Sequence, residues 1–268
     1  MRHTARARLA LALLPLLLVS ASGCDLAMAH HGQSASADWR KTWDLPPDGR
    51  VEIRNVNGKI DVQTSAGGAV EVVAHKTASA GSVGAAQEAL GRIEIAEEAS
   101  AGGIRLETKM PKNTGGGLFS RVSQQVNYVV KLPAGAEVVM RTVNGGITLE
   151  GLSGRVEAQT TNGAVKARNI SGPISAATTN GGVEVDLERL AEGGVTLSCT
   201  NGGIRLRLPS DAKATLSARV TNGGVSMDGL TLDKSGDNNR RRLEGRLNGG
   251  GAPVRIEGTN GGISIIAR

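Results

Sequence analysis

An Asn-Gly dipeptide recurs through the second half of this 268-residue chain at nearly even spacing. From Asn144 onward, successive copies are 18, 18, 21 and 21 residues apart, and most read Thr-Asn-Gly-Gly before Ile or Val. Asn-Gly tolerates positive φ and marks tight turns. The regular copies are Asn144, Asn162, Asn180, Asn201, Asn222 and Asn260, with an isolated copy at Asn57 and an aberrant one at Asn248. A period near 20 residues is typical of a solenoid, although antiparallel hairpins would also repeat this turn.

Apolar and polar residues alternate on both sides of each turn. Around Asn180, for example, Ile174 lies six residues before the turn, and Val183 and Val185 lie three and five residues after it. The other copies carry apolar residues at the same offsets. This alternation predicts two short strands per repeat, each with one buried face.

The outward positions distinguish stacked coils from hairpins. Six residues after each Asn, the charge alternates in sign along Glu150, Arg168, Asp186, Arg207 and Asp228. Parallel strands about 4.8 Å apart would place each charge between opposite charges, and such pairs stabilise a sheet by roughly 0.2–1 kcal/mol each. We therefore predict an all-β fold, a parallel two-faced β-solenoid with an asparagine ladder along one corner.

The second outward face carries small residues, such as Ser175, Ala177, Thr196 and Ser198. Two interpretations remain open: an ordinary solvated sheet, or a contact face for a glycan, another protein or a second copy.

Two segments interrupt the period. The first and second copies are 87 residues apart, and the second interruption, Asp233 to Arg242, ends in three arginines. That loop is a solvated tip or a contact for an anionic lipid or glycan phosphate. In the first segment we predict strands around Val70–Ala74, Ile93–Ala96, Ile104–Thr108 and Val126–Leu132, a short helix over Ser82–Leu90, and a loop over Lys112–Arg121.

The N-terminus has the pattern of an export signal. Residues 1–8 are basic, and the apolar run after them is too short to span a bilayer. Ala21-Ser22-Gly23-Cys24 resembles a bacterial lipobox, whereas Ala27-Met28-Ala29 is an alternative site for ordinary signal peptidase. We favour lipidation of Cys24. The predicted organisation is a signal peptide over 1–23, the lipid-attachment Cys24 with a flexible tether over 24–42, and one β-solenoid domain over 43–268.

Composition argues against several functions. Aromatic residues are 1% of the chain, which disfavours base stacking on nucleic acid. Residues 1–23 hold three arginines and no acidic residue, so without them the surplus of basic residues falls from six to three. A surplus this small does not predict a nucleic-acid partner.

No residue pattern predicts a cofactor, a metal site or a catalytic centre. His30 and His31 belong to the predicted tether, His75 is isolated in the sequence, and Cys-x-x-Cys is absent. A polysaccharide-cleaving β-helix would need clustered carboxylates on an exposed face. Glu184 and Asp186 are the one such cluster, and the alternating charge ladder already explains them.

The Thr-Asn-Gly-Gly repeats, Asn57-Gly58 and the segment Leu132-Pro133-Ala134-Gly135 resemble a bacterial putative-adhesin family of β-strand-repeat domains, a domain of unknown function. The resemblance covers roughly Trp43 to Arg268. It implies an envelope-associated, non-enzymatic β-solenoid and supplies no catalytic residues.

These features predict a cell-envelope lipoprotein that acts as a binding or structural, adhesin-like module. It would be lipid-anchored on the periplasmic side of a bacterial membrane, or soluble in the periplasm if Cys24 is not lipidated, with an envelope protein or glycan as partner. An envelope-stress accessory and a polysaccharide-active enzyme are the alternatives. The C-terminal strand, Ile263 to Ala267, has no evident cap, and it predicts strand addition by a second copy or by a partner unless an insertion covers it.

Overall fold

Two β-sheets contain most of the residues that the computed structural model describes, which are 32–110 and 122–268. Cys24, the predicted signal peptide and the loop predicted over Lys112–Arg121 lie outside the described residues. The elements in chain order are β1 (Gln33–Asp44), β2 (Arg50–Arg54), β3 (Ile60–Thr64), β4 (Ala69–Ala80), α1 (Val83–Gly91), β5 (Glu94–Ser100), β6 (Gly103–Lys109), β7 (Ser123–Leu132), β8 (Glu137–Asn144), β9 (Ile147–Glu150), β10 (Val156–Asn162), β11 (Val165–Ile170), β12 (Ile174–Asn180), β13 (Val183–Leu187), β14 (Val195–Asn201), β15 (Ile204–Leu208), β16 (Ala214–Asn222), β17 (Val225–Asp228), β18 (Leu232–Lys234), β19 (Arg242–Leu247), β20 (Ala252–Asn260) and β21 (Ile263–Ala267).

Parallel pairing runs through the middle of both sheets. The first sheet, sheet A, has the order β1-β4-β7-β3-β9-β11-β13-β15-β21-β17, and the second, sheet B, has the order β18-β19-β16-β20-β14-β12-β10-β8-β2-β6-β5. Antiparallel pairs occur only towards the ends of these orders, where β4 pairs with β1 and β7, β5 with β6, and β19 with β16 and β18. The arrangement confirms the predicted all-β, parallel two-faced solenoid.

The register keeps equivalent repeat positions side by side. In sheet A, Val165 pairs with Ile147 on one side and with Val183 on the other. These residues and Ile204 point between the sheets and are at most 2% exposed. Because a slip of one residue would turn every apolar side chain towards water, burial of these columns specifies the register.

A helix packs beside the long antiparallel strands. Ser82 begins it as the N-cap, with its side chain accepting a hydrogen bond from the Ala85 amide at 3.2 Å. Ala86 and Ala89 are its buried positions, and α1 contacts both β1 and β4. The predicted short helix over Ser82–Leu90 is confirmed.

The prediction of a flexible tether is wrong for residues 33–42, the C-terminal part of that segment. These residues belong to β1, which pairs antiparallel with β4 over its full length. Trp39 and Trp43 pack against the core, and Lys41 Nζ lies 2.6 Å from Glu97 Oε2. Small polar residues suit a tether and an exposed edge strand equally well, so composition alone did not separate the two.

The C-terminal coil does not lie at the end of the stack. β20 pairs with β14 and β16, and β21 pairs with β15 and β17, so both strands of the last repeat have two neighbours. The prediction that Ile263 to Ala267 is a free edge available for self-association is therefore wrong. The chain passes through the coil of Asn222, forms the β18–β19 hairpin, and then returns to insert its last coil one place inward.

Candidate functional site

The asparagine side chains form a continuous hydrogen-bonded ladder along one corner. From Asn144 onward, each Nδ2 donates to the Oδ1 of the asparagine in the neighbouring coil, at 2.7–2.9 Å. The order along the ladder is Asn57, Asn144, Asn162, Asn180, Asn201, Asn260 and Asn222. Because every amide has the same orientation, each internal asparagine is both a donor and an acceptor.

Replacing Asn180 with alanine should destabilise the protein more than replacing Asn222. Asn180 makes two ladder bonds, to Asn162 and from Asn201, whereas Asn222 makes one, to Asn260. At about 1 kcal/mol for each bond, we expect losses of about 2 and about 1 kcal/mol in the free energy of unfolding. Urea denaturation, fitted with one m value for the wild type and both variants, measures the two losses. Equal losses at the two positions would show that the ladder bonds contribute nothing beyond the turn.

The first glycine after each asparagine is required by the backbone. Gly181, Gly202 and Gly261 have φ angles of +148°, +147° and +142°. A Cβ on Gly202 would lie 1.6 Å from the Gly181 carbonyl oxygen. Neighbouring coils approach too closely here for any side chain, so this column of glycines is structural.

The second glycine is not required in this way. A Cβ on Gly182 or Gly203 would lie 3.5 or 3.6 Å from its nearest backbone oxygen, which is ordinary contact, and neither residue has a positive φ. Ala164 occupies the equivalent position in a neighbouring coil. Sequence patterns assign both glycines to the turn, and Ala164 is the signal that separates them. Repeated glycine here has another consequence, which is open space above the strand.

That space is a shallow groove on the outer side of sheet A, with a volume of about 450 Å³. It crosses five neighbouring coils close to the asparagine corner. The second glycines form its floor, at Gly182, Gly203, Gly224 and Gly262, and polar side chains line it at Lys166, Glu184, Arg205, Ser226 and Ser264. Arg205 Nη1 lies 3.7 Å from Glu184 Oε1. The groove therefore offers cations, a carboxylate and hydroxyl groups to a ligand lying across the strands.

The structure brings only part of the predicted charge ladder together. Arg168 pairs with Glu150, and Asp186 pairs with Arg207. The two pairs are not joined, because the register of β11 and β13 shifts beyond Ala167 and Arg168 is not opposite Asp186.

Arg207 and Asp228 are not neighbours, contrary to the predicted ladder. Ile266 of the inserted coil pairs with both of them. Arg268, which follows the last strand, provides a cation that the predicted ladder did not include, because its Nη1 lies 3.7 Å from Asp186 Oδ1. The strict alternation in chain order fails at this end because the order of coils in space differs from their order in sequence.

The small-residue face lies on sheet B and is narrower than the sequence suggests. Ser175 and Thr196 are neighbours, as are Ala177 and Ser198. The inserted coil then places Arg255 beside Thr196, so charged side chains border the face on that side.

The model of the Toastrack DUF4097 family matches residues 123–266, which is more than half of the chain. The chain belongs to this family. The match confirms the resemblance to a bacterial family of β-strand-repeat domains of unknown function. Among curated proteins, none matches the sequence.

Solved structures resemble this Toastrack chain at low identity. One is described as a putative cell adhesion protein from Clostridium sporogenes, with 13% identity, a TM-score of 0.47, and coverage of 87% of this chain and 100% of that one. A putative adhesin from Bacteroides fragilis has 10% identity, a TM-score of 0.37, and coverage of 87% and 97%. Both are too distant to transfer what those proteins do.

The described part of the Toastrack chain contains no group of three or more His, Cys, Asp and Glu residues arranged to hold a metal ion. Cys199 is buried in the inward column of Thr160 and Thr178. Its thiol donates to the Gly181 carbonyl at 3.2 Å, and burial raises its pKa. No helix within residues 32–110 and 122–268 is long and apolar enough to cross a membrane.

The three-arginine loop of the second interruption lies against the Asn222 coil and is held by one carboxylate. Glu244 accepts from Arg242 Nη2 at 2.7 Å and from Arg219 Nη2 at 2.7 Å, and Ser217 Oγ donates to it at 3.1 Å. The bonds from Arg242 and then Arg219 lower the pKa of Glu244 to about 2. Glu244 was not evident from the sequence, because Arg219 and Ser217 lie in β16, 25 and 27 residues away, and only the pairing of β16 with β19 brings them to its carboxylate.

Replacing Glu244 with glutamine should make stability less dependent on pH. The folded pKa of about 2 lies below the ordinary value of 4.5. The carboxylate therefore stabilises the fold fully above pH 4.5, and that contribution is lost as the pH falls towards 2. Thermal denaturation of both proteins should give Tm values that differ above pH 4.5 and converge near pH 2. A constant difference across this range would contradict the assignment.

Proposed function

We propose that this chain is a non-enzymatic binding or structural module of the bacterial cell envelope and that the sheet A groove is its contact surface. The observation that supports this is the column of second glycines. The backbone tolerates a side chain there, yet glycine recurs in four neighbouring coils and leaves an open groove floor. A rigid stack of coils presents this groove as a pre-formed surface.

The groove lining favours an extended polar polymer as ligand. Lys166 and Arg205 attract carboxylates, and Glu184 attracts an amine. Ser264 offers a hydroxyl donor, and Ser226 Oγ, which donates to the Ile263 carbonyl, offers an acceptor. Acidic, basic and hydroxyl groups occur together in a cell-wall glycan with its peptide stems. Such a strand would cross the coils on the outside of sheet A.

Co-sedimentation with purified peptidoglycan sacculi tests this proposal. Replacing Gly182 and Gly203 together with leucine fills the groove floor and should reduce the bound fraction by about tenfold or more. The matched control is Ser175→Leu with Thr196→Leu, which adds bulk on the exposed face of sheet B. Equal binding by both variants and the wild type would exclude the groove, and Tm values would confirm that each variant folds.

Lipidation of Cys24 belongs to the same proposal. The lipobox-like sequence supports it, and an anchor would hold the solenoid at the membrane on the periplasmic side. Metabolic labelling with a fatty acid should mark the wild type and not Cys24→Ala. An unlabelled wild type whose mature chain begins at His30 would contradict it and support ordinary signal-peptidase cleavage.

A further inference from the structure

The Asn222 end of the stack carries a second, basic cavity, which shares no lining residue with the groove although Arg240 lies beside Gly224 of the groove floor. The cavity has a volume of about 890 Å³. The end of β16 and its corner line one side, and the three-arginine loop lines the other. Its lining residues are 219–223 and 239–242. No carboxylate is among them.

The asparagine corner ends here without a partner coil. In the preceding coils, the Gly202 amide donates to the Asn260 carbonyl and the Gly261 amide to the Asn222 carbonyl, both at 2.9 Å. No following coil provides such a carbonyl for Gly223. Among the residues that the structure describes, nothing accepts from the Gly223 amide and nothing donates to Asn222 Oδ1.

The loop covers both sides of this corner but leaves the corner itself open. Its main chain accepts hydrogen bonds at 2.9 Å from the Val220 amide, through Arg241, and from the Val225 amide, through Arg240. These carbonyls replace a next coil on either side of the turn. Gly223, between them, is among the residues that line the cavity.

The charge in the cavity is only partly neutralised. Glu244 forms salt bridges with Arg219 and Arg242, and the negative charge of Asp237 in the loop also attracts Arg242. Arg240 and Arg241 are exposed, and within the described ranges neither guanidinium forms a salt bridge. The Arg241 side chain makes one long contact of 3.5 Å, to the Thr221 carbonyl.

We propose that this cavity binds a phosphoryl group. Its oxygens would accept from the Gly223 amide and from the guanidinium groups of Arg240 and Arg241, the donors that suit oxyanions. Asn222 Oδ1 is exposed and accepts from none of the described residues, so it is free to accept from the hydroxyl of hydrogen phosphate or from a glycerol hydroxyl of a phospholipid headgroup. Sulfate has the same shape but carries no proton at neutral pH, so it fits this site less well.

Calorimetric titration of the full chain with inorganic phosphate, at constant ionic strength, tests the proposal. Arg240→Gln combined with Arg241→Gln should weaken binding by about tenfold or more. Main-chain atoms of these residues cap the stack, so Tm should be unchanged. Arg155→Gln, an exposed arginine in a distant coil, is the matched control and should bind like the wild type. Sulfate should bind more weakly than phosphate to the wild type.

Vesicles distinguish the two sources of the phosphoryl group. Binding to phosphatidylglycerol vesicles over phosphatidylcholine vesicles, lost in the double arginine variant, would assign a lipid headgroup. Saturable phosphate binding without such vesicle binding would assign a soluble phosphate ester. The N-terminal segment is identical in all proteins and contributes equally. Absence of both kinds of binding, or an equal loss in Arg155→Gln, would overturn the proposal, and neither result bears on the groove.

Discussion

Replacing Gly202 with alanine should unfold or severely destabilise the protein, with a loss of about 3–5 kcal/mol in the free energy of unfolding. The new Cβ would lie 1.6 Å from the Gly181 oxygen and 3.3 Å from Cys199 Sγ. The φ of +147° is also unfavourable for alanine. Relief of the clash requires the two coils to separate, which breaks the Gly181–Asn201 backbone hydrogen bond at 2.9 Å.

The adjacent Gly203 provides a matched control for this substitution. Its Cβ would lie 3.6 Å from the Gly262 oxygen. We therefore expect Gly203→Ala to change stability by no more than about 0.5 kcal/mol, because alanine also reduces the entropy of the unfolded chain. Urea denaturation of the two variants side by side gives the comparison. Similar losses at both positions would refute the distinction between structural and permissive glycines and remove the main support for the groove.

A chain that ends at Gly251 should lose most of its cooperative stability. Truncation removes β20 and β21, and with them the buried side chains Val254, Ile256, Ile263 and Ile265, which are at most 2% exposed. At about 1.5–3 kcal/mol for each side chain, the loss is about 6–12 kcal/mol, comparable with the whole stability of a domain. In a solenoid stacked in chain order, losing the last repeat would expose one interface. In this protein the last repeat lies between the Asn201 and Asn222 coils, so its loss leaves a gap between them.

Hydrogen exchange of the intact protein tests the same point without a mutation. The amides of β21 should be protected almost as strongly as the central coils, since this strand has a neighbour on each side. β17 precedes it in sequence but is the edge of sheet A, so it serves as the internal control and should exchange faster. Fast exchange in β21 together with slow exchange in β17 would contradict the inserted position of the last coil.

Much of the local structure was predictable because its causes are local. Period-two alternation placed Val183 and Val185 on the buried face, Asn-Gly marked the corners, and Ser82 marked the start of the helix. The groove was harder to predict from the sequence, because a glycine that the backbone requires at positive φ and a glycine that only leaves open space are the same letter in the sequence. Ala164 was the one residue that distinguished them.

The sequence indicated a candidate anionic contact at the three arginines, but it did not place them against the end of the asparagine ladder. The three arginines are adjacent in the chain, but their relation to Gly223 and Asn222 depends on where the stack ends. That end is determined by the β18–β19 hairpin, which pairs with the outer side of β16 in sheet B.

The sequence by itself determined that this chain forms stacked coils with an asparagine corner, buried aliphatic columns and a parallel register. Alternation and turn chemistry act over a few residues, and burial of one face allows only one register. Only the tertiary structure decided the order of the coils and the pairing of β1 with β4. The coils present the same columns to their neighbours, so one coil fits almost anywhere in the stack. The order of the coils depends on long-range pairing. β19 pairs with one edge of β16, and the last coil lies at the other edge, between β16 and β14.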